Sequence, residues 1–410
     1  MHARTRPASA GNNRVNPVAA PPTSSLRVLH LNSRLTGGGT DDQCVKLAHG
    51  LQRLGHQLWV AGPEGREFSK IIRDLGISFH ATPPEGPIKL RFMLAAARFI
   101  RREQIQIVHG HHGCDFWPSV LAARFSGRRP KIVLTRHMAK SPSSWFSRLF
   151  LLGQCDAIIA VSNFVARVLR EGVYEPDSPV AERRSRLPLR GDHAKIHVIY
   201  GGIDTERFKP MDGSRLRADW GLQSEHCAFG MVGGYVLPFG KGQREFLQAA
   251  AQIHLQIPLA RFLIIGRGNM GDVLRDEIAR LGLKGKAWLT PYCNDMPQAM
   301  NAIDCLVHAQ IATEAMAIVV CEAQACGRPV IASNLDGLPE ALALGGGYGQ
   351  LVRPGSVDDL AAAMSSQACA APASEAERVA MHRRVSQSFS LSQSAQNHRL
   401  LYTKLLRRQS

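Results

Sequence analysis

The 410-residue sequence predicts an α/β protein built from two doubly wound parallel-sheet domains that face a central cleft. Three observations carry that expectation. The chain is too long for one ordinary core and suits two domains of roughly 180 residues each. Short, nearly continuous apolar runs alternate with amphipathic stretches of helical period, the pattern of β-α-β units whose strands are covered on both faces. The series also occurs twice, before and after residues 195–210.

The elements follow in order. Residues 1–25 are rich in Pro, Ala, Asn and Ser with scattered Arg and have no apolar centre, so they read as a disordered tail rather than a signal peptide. LRVLHLN (26–32) reads as a buried strand, GGGT (37–40) as a tight loop, 41–55 as an amphipathic helix opened by Asp41 and Asp42, and HQLWVAG (56–62) as the next strand. Further strands are expected at 106–111, 131–137 and 157–162, and the patternless, charged 175–194 reads as an exposed loop. The second series places strands at 228–234, 261–268, 287–292, 304–309 and 328–333, with helices at 243–254 and 272–282 among them. The expected organisation is a first Rossmann-like domain over 26–205, a second over 206–375, and a helical segment over 376–410 that packs back on the first domain. Two such sheets leave a cleft between their strand carboxyl ends, where open α/β sheets bind ligands.

Composition narrows the class. Nine scattered cysteines without a Cys-x-x-Cys pair fit reduced cytoplasmic thiols, neither a disulfide framework nor a zinc site. No apolar run approaches the length of a membrane span. The net charge of +17 is uneven: residues 1–207 hold 30 Lys/Arg against 16 Asp/Glu, whereas 208–410 hold 20 against 17. A basic first half points to an anionic partner. Nucleic acid is disfavoured because no aromatic-basic recognition motif accompanies the charge. The stretches 88–103, with Phe92, Leu94, Ala95 and Phe99 among basic residues, and 143–152, with Trp145, Phe146, Leu149 and Phe150, suit an anionic membrane surface. They suit a core-facing helix with a solvated basic back as well.

The chemistry concentrates in TEAMAIVVCEAQACGRPVIAS (313–333), where Glu314 and Glu322 bracket a helix start just before an apolar strand. An ionised carboxylate only accepts hydrogen bonds, which suits a diol, and amides at a helix start suit a diphosphate. Two solvated glutamates on a surface helix would give the same pair.

Over residues 27–365 the chain resembles the retaining glycosyltransferases of the GT-B fold, in particular family 4 (group 1). The resemblance is strongest in 301–342: an Asp-containing strand, Glu-x7-Glu-Ala, a small-residue turn with Gly-Arg-Pro-Val, then Gly-Leu-Pro-Glu. It implies that Glu322 holds the ribose diol of a nucleotide-sugar donor and Glu314 a hydroxyl of the transferred sugar. Ala315, Met316, Ala317 and Ile318 would aim amides at sugar and phosphate, although the family often has Gly where this chain has Ala315 and Ala317. Lys241 matches the lysine that opens a helix and neutralises the donor phosphates. A fixed ammonium there supplies charge without a metal, so no cofactor or metal ion is expected. Where the family carries an Arg after the preceding strand, this chain has Gly233-Gly234-Tyr235, and Arg267 and Arg244 are both candidates to replace it.

In the first domain the resemblance matches Gly37, Gly38 and Gly39 to a glycine loop that approaches the diphosphate, and His111 to a histidine that contacts the transferred sugar. His109 and His111 alternate on one strand face with His112 turned away, and His137 ends a neighbouring strand; His109 and His137 are expected on the acceptor side. No spacing among the four histidines closes a tetrahedral metal set. Base recognition is placed around Tyr292. The implied activity is transfer of a sugar with retention, from a nucleotide-diphosphate donor to the hydroxyl of a glycan or lipid-linked acceptor. A phosphorylated or lipid-linked envelope glycan, of lipopolysaccharide or exopolysaccharide type, presented at the inner face of the cell membrane would account for the charge. The rivals on the same architecture are a nucleotide-sugar epimerase, a glycogen-type synthase and a non-catalytic sugar-nucleotide-binding subunit.

Overall fold

The structure is a computed structural model that describes residues 25–82, 90–173, 186–238, 240–344, 346 and 348–408. Apart from Ser25, the expected tail lies outside the described residues, as does the 175–185 part of the expected loop. Two sheets organise the chain, and every neighbouring strand pair in them is parallel. The first holds β1 (Arg27–Leu31), β2 (Gln57–Pro63), β3 (Ser78–Thr82), β4 (Ile107–Gly110), β5 (Lys131–Arg136), β6 (Ala157–Ala160) and β7 (Ile196–Val198) in the order β3-β2-β1-β4-β5-β6-β7. The second holds β8 (Cys227–Val232), β9 (Ala260–Ile265), β10 (Ala287–Leu289), β11 (Cys305–His308), β12 (Val330–Ser333) and β13 (Gly349–Val352) in the order β10-β9-β8-β11-β12-β13. Strand order reverses between β1 and β4 and between β8 and β11, which puts a ligand crevice at each reversal.

The central strands were expected because helices cover both of their faces and leave continuous apolar runs; β4, β6, β11 and β12 are buried throughout. Three strands were not expected: β3, β7 and β13. All three are sheet edges, and their residues alternate in exposure or face solvent, so the apolar signal is diluted.

The chain crosses between domains twice, near Tyr200–Gly202 and near Phe389–Leu391. These crossings bond to each other, Ile203 N to Phe389 O at 2.7 Å and Leu391 N to Ile203 O at 3.0 Å. The 376–410 stretch is two helices rather than one, broken at Ser390, whose side chain caps the second. The helix Glu375–Phe389 packs on the second-domain helix Ile318–Ala325, and the helix Leu391–Arg407 packs on the first-domain helix Gly39–Arg53. In the helix Leu90–Arg102, Phe92 and Phe99 are buried in the core while Arg91, Arg98, Arg101 and Arg102 face solvent. Phe92 and Phe99 therefore serve the core, while Leu90 and Leu94 are exposed.

Candidate functional site

The site is built at the carboxyl ends of β8 and β11. After β11 the chain makes an irregular turn over 313–317, and the helix Ile318–Ala325 starts with Ala317 as its N-cap. Glu314 projects from this turn. Its Oε2 lies 3.8 Å from Lys241 Nζ and 3.6 Å from Nε2 of the buried His308 at the end of β11. Desolvation pushes the Glu314 carboxyl up, but the His308 ring and the Lys241 charge outweigh it and hold the group below the usual carboxylate range. Lys241 stands just before the helix Gln243–Ile253, held by its amide bond to Gln243 Oε1 at 2.6 Å. The next residue, Gly242, has φ +93°, and a Cβ there would sit 1.9 Å from Ala309 O, so only glycine lets the lysine loop approach β11 this closely.

The amides of Ala315, Met316 and Ala317 have no acceptor among the described residues. Buried amides at a helix start that lack partners favour an anion. Ile318 is a correction to the expected set: its amide bonds to Met316 O at 3.0 Å and is spent within the turn. Glu322 lies one turn into the helix and faces the first domain. Desolvation lifts its carboxyl to about 7, Lys46 and Arg207 pull it down, and Asp42 pushes it up. Arg267 is exposed, with its guanidinium 5.2 Å from the centre of the exposed Tyr292 ring. Gly233, at the end of β8, lies against the Lys241 stem.

On the opposite side, Gly38 caps the helix Gly39–Arg53, and the glycine loop is fastened by Gly37 N donating to Asp41 Oδ2 at 2.9 Å. Asp41 is fully buried; its Oδ1 accepts from Asn32 Nδ2 at 2.8 Å and lies 2.7 Å from His112 Nε2. Burial works against this carboxylate, yet the three bonds hold it below its usual range. The histidine that reaches the carboxylate fastening the glycine loop is thus His112, the one turned away from the face that His109 and His111 share.

The remaining histidines form a buried stack. His30 Nδ1 is 2.8 Å from His111 Nε2, His111 stacks on His137 at 5.8 Å, and His109 bonds both Tyr402 Oη at 2.7 Å and Thr135 Oγ1 at 2.6 Å. The expected acceptor role of His109 is corrected: both ring nitrogens are occupied and the side chain is fully buried. Burial pushes His30 and His137 down to about 3 and lowers His109 and His111 strongly, so these rings are neutral at pH 7. His111 and His137 line a small cavity of about 20 Å³ with Thr135, Tyr200 and His398. His30, invisible to the strand-end reasoning because it lies inside β1, joins His109 and His111 so that one ring nitrogen of each lies within 4.8 Å of the others. Both nitrogens of His109 are engaged and His30 and His111 bond each other, while His30 Nε2 and His111 Nδ1 are buried without a hydrogen-bond partner among the described residues.

Reasoning from sequence missed Asp336, Arg186, Ser162 and Glu340, which tie the 313–317 turn and the segment behind it to the first domain. Asp336 Oδ2 accepts from Thr313 Oγ1 at 2.7 Å and Glu314 N at 3.1 Å, and Arg186 pairs with Asp336 at 3.0 Å. Arg186 is buried, although the 175–194 stretch reads as exposed.

Two facing Rossmann-like sheets with a helix-start lysine, a Glu-x7-Glu turn and unpaired amides between them define the GT-B class of architecture. Within it the chain belongs to glycosyltransferase family 4: the model described as "Glycosyltransferase Family 4" matches residues 37–183, and "Glycosyl transferases group 1" matches 227–368. A D-inositol 3-phosphate glycosyltransferase of Mycobacterium marinum is 34% identical over 183 residues, 43% of this chain and 37% of the relative. A UDP-Gal:alpha-D-GlcNAc-diphosphoundecaprenol alpha-1,3-galactosyltransferase of Escherichia coli is 28% identical over 253 residues, 60% of this chain and 62% of the relative. The chain thus spans less than two thirds of the length of these curated relatives. Among solved structures, a Rickettsia africae glycosyltransferase superposes with a TM-score of 0.78 over 93% of this chain and 99% of its own, at 20% identity. The Anabaena protein HepE, crystallised with UDP and glucose, gives 0.72 over 92% and 99%, at 21% identity. At these identities the likeness is one of fold.

Proposed function

We propose that the chain is a retaining glycosyltransferase that moves a sugar from a nucleotide-diphosphate donor to an acceptor hydroxyl. The observation that carries this reading is the convergence of Lys241, Glu314 and the unpaired amides of Ala315, Met316 and Ala317 at the mouth of the cleft. As the glycosidic bond to the donor phosphate breaks, negative charge develops on the diphosphate. A lysine and helix-start amides fixed in advance stabilise that charge without reorganising. Glu314, held ionised, accepts a hydroxyl of the transferred sugar. Glu322 accepts the ribose diol, and Arg267 with Tyr292 offers a flat cationic and aromatic surface to the base. No divalent ion is required in this scheme, because Lys241 and the amides supply the countercharge.

The acceptor is a glycan or lipid-linked glycan, of lipopolysaccharide or exopolysaccharide type, met at an anionic membrane surface on the cytoplasmic side. The name of the E. coli relative, which carries an undecaprenol diphosphate acceptor, supports the lipid-linked class. Among the described residues, no helix is long and apolar enough to cross a membrane, so contact would be peripheral. Trp145, Phe146 and Phe150, exposed on the helix Trp145–Gln154, are the apolar groups placed for it.

The test is a thermal-shift screen against UDP-, GDP- and ADP-sugars in EDTA, followed by turnover of the best donor with glycan acceptors and NMR of the product anomer. Stabilisation by one donor, EDTA-resistant transfer and a retained anomer are expected. An inverted anomer would remove the retaining mechanism, and EDTA-sensitive transfer the metal-free one. Donor consumed without acceptor to an epimer would favour the epimerase rival.

A further inference from the structure

The turn over 313–317 has no regular structure, so its shape depends on what holds it. Four bonds do. Within the second domain, Asp336 takes the Thr313 hydroxyl and the Glu314 amide, and Gly337 N donates to Glu314 O at 3.1 Å. From the first domain, Ser162 Oγ donates to Ala315 O at 2.7 Å. Asp336 is itself held from the first domain by the buried pair with Arg186, with side chains 3% and 8% exposed. A Cβ on Gly337 would lie 2.2 Å from Ala315 O, so the Asp336–Gly337 corner is pressed directly onto the turn.

The same corner continues into the helix Leu338–Leu344, whose Glu340 reaches across the domain boundary. Glu340 Oε1 accepts from Asn163 N at 3.0 Å, Asn163 Nδ2 at 2.5 Å and Tyr200 Oη at 2.5 Å, and Oε2 accepts from Phe164 N at 3.3 Å. Those amides are first-turn donors of the helix Asn163–Arg170, which Ser162 caps. One carboxylate therefore seats on a helix start of one domain while its own segment shapes the sugar-facing turn of the other. Tyr200 stands on the interdomain crossing, so this contact also reads the hinge.

We propose that Glu340 is a positioning residue that makes the geometry of the Glu314 turn conditional on domain closure. This rests on the glycosyltransferase reading above. When the domains part, Glu340 leaves the helix start, Arg186 leaves Asp336 and Ser162 leaves Ala315 O in one movement. The turn then loses its first-domain supports, while Lys241 and Glu322, which would hold the nucleotide, stay in place. A donor bound to the open form is thus held by its nucleotide but not aligned for attack, so alignment is completed only in the closed form that excludes water, and loosened closure lets water compete with the acceptor.

The test compares wild type, Glu340→Gln and Tyr200→Phe with the donor that stabilises the wild type best among UDP-glucose, GDP-mannose and ADP-glucose. For Glu340→Gln, transfer kcat should fall by about tenfold or more while the nucleoside diphosphate Kd stays within about twofold. The ratio of donor hydrolysis to transfer should rise. Tyr200→Phe, which removes one of the four bonds, should move that ratio in the same direction by less. A role in stability alone would lower the active fraction and leave the ratio unchanged, and that outcome overturns the proposal. If the wild type turns over no nucleotide sugar, the functional reading falls instead. X-ray scattering then still decides the coupling: Glu340→Gln should have a larger radius of gyration than the wild type, and equal radii overturn it.

Discussion

With seven residues between them in sequence, Glu314 and Glu322 end in different electrostatic surroundings. Lys241 and His308 sit beside the first, whereas the second enters the cleft opposite Asp42 and Lys46. The pattern was legible because both carboxylates must flank one helix start to reach one ligand. Their difference was not, because it depends on groups from other strands and the other domain. The raised Glu322 carboxyl, at about 7 against an ordinary 4.5, has two consequences. An acid whose value is raised by folding binds more protons folded than unfolded, so its contribution to stability falls as pH rises from about 4.5 to about 7. A diol donates to the ionised form, so donor affinity should rise over pH 6 to 8. In Glu322→Gln the affinity should be weaker and its pH dependence flattened, and the variant should lose less stability than wild type across that window. Isothermal titration with the donor nucleotide and denaturant melts at pH 5 and 8 check both.

At the scale of elements, the apolar period found the interior strands and the long helices, because each must bury a defined face. Edge strands β3, β7 and β13 escaped because their residues alternate in exposure or face solvent, which dilutes the apolar signal that revealed the edge strand β10. The histidines show the same limit. Alternation along β4 correctly put His109 and His111 on one face, yet that face is covered by the helix Leu391–Arg407, nearly three hundred residues away in sequence. Tyr402 from this helix is fully buried and bonds His109 Nδ1. Removing its hydroxyl in Tyr402→Phe leaves a buried ring nitrogen unpaired and should cost about 1–3 kcal/mol in chemical denaturation. A change below a few tenths would show that the docking rests on apolar packing alone.

At the scale of the whole molecule, two crossings bonded edge to edge join the domains, and the basic excess lies in the half that carries exposed Trp145, Phe146 and Phe150. Trp145, Phe146 and Phe150 are 63%, 44% and 45% exposed, and the Phe146 ring packs, tilted by 39°, at 4.9 Å from that of Trp117 on the helix Phe116–Phe125. Vesicles containing anionic lipid should bind the protein at low salt and release it as ionic strength rises, while neutral vesicles bind weakly. Replacing Trp145 and Phe150 by Ser should reduce sedimentation with anionic vesicles several-fold while leaving turnover of a water-soluble acceptor unchanged. Equal sedimentation of the variant would place the contact elsewhere.

The sequence by itself determined the fold class, the central strands, and the placement of Glu314 before a helix start, of Lys241 before another and of the glycine turn before a third. Those features arise from residues close together in the chain, where periodicity, capping and backbone freedom act directly. Tertiary structure alone decided that His109 is spent on Tyr402, that His112 serves the glycine loop, and that Asp336 and Glu340 bind the 313–317 turn and its neighbouring segment to the opposite domain. Each of these is a pairing between distant segments. A buried polar group must find a partner, but the sequence does not say which distant element will bring one.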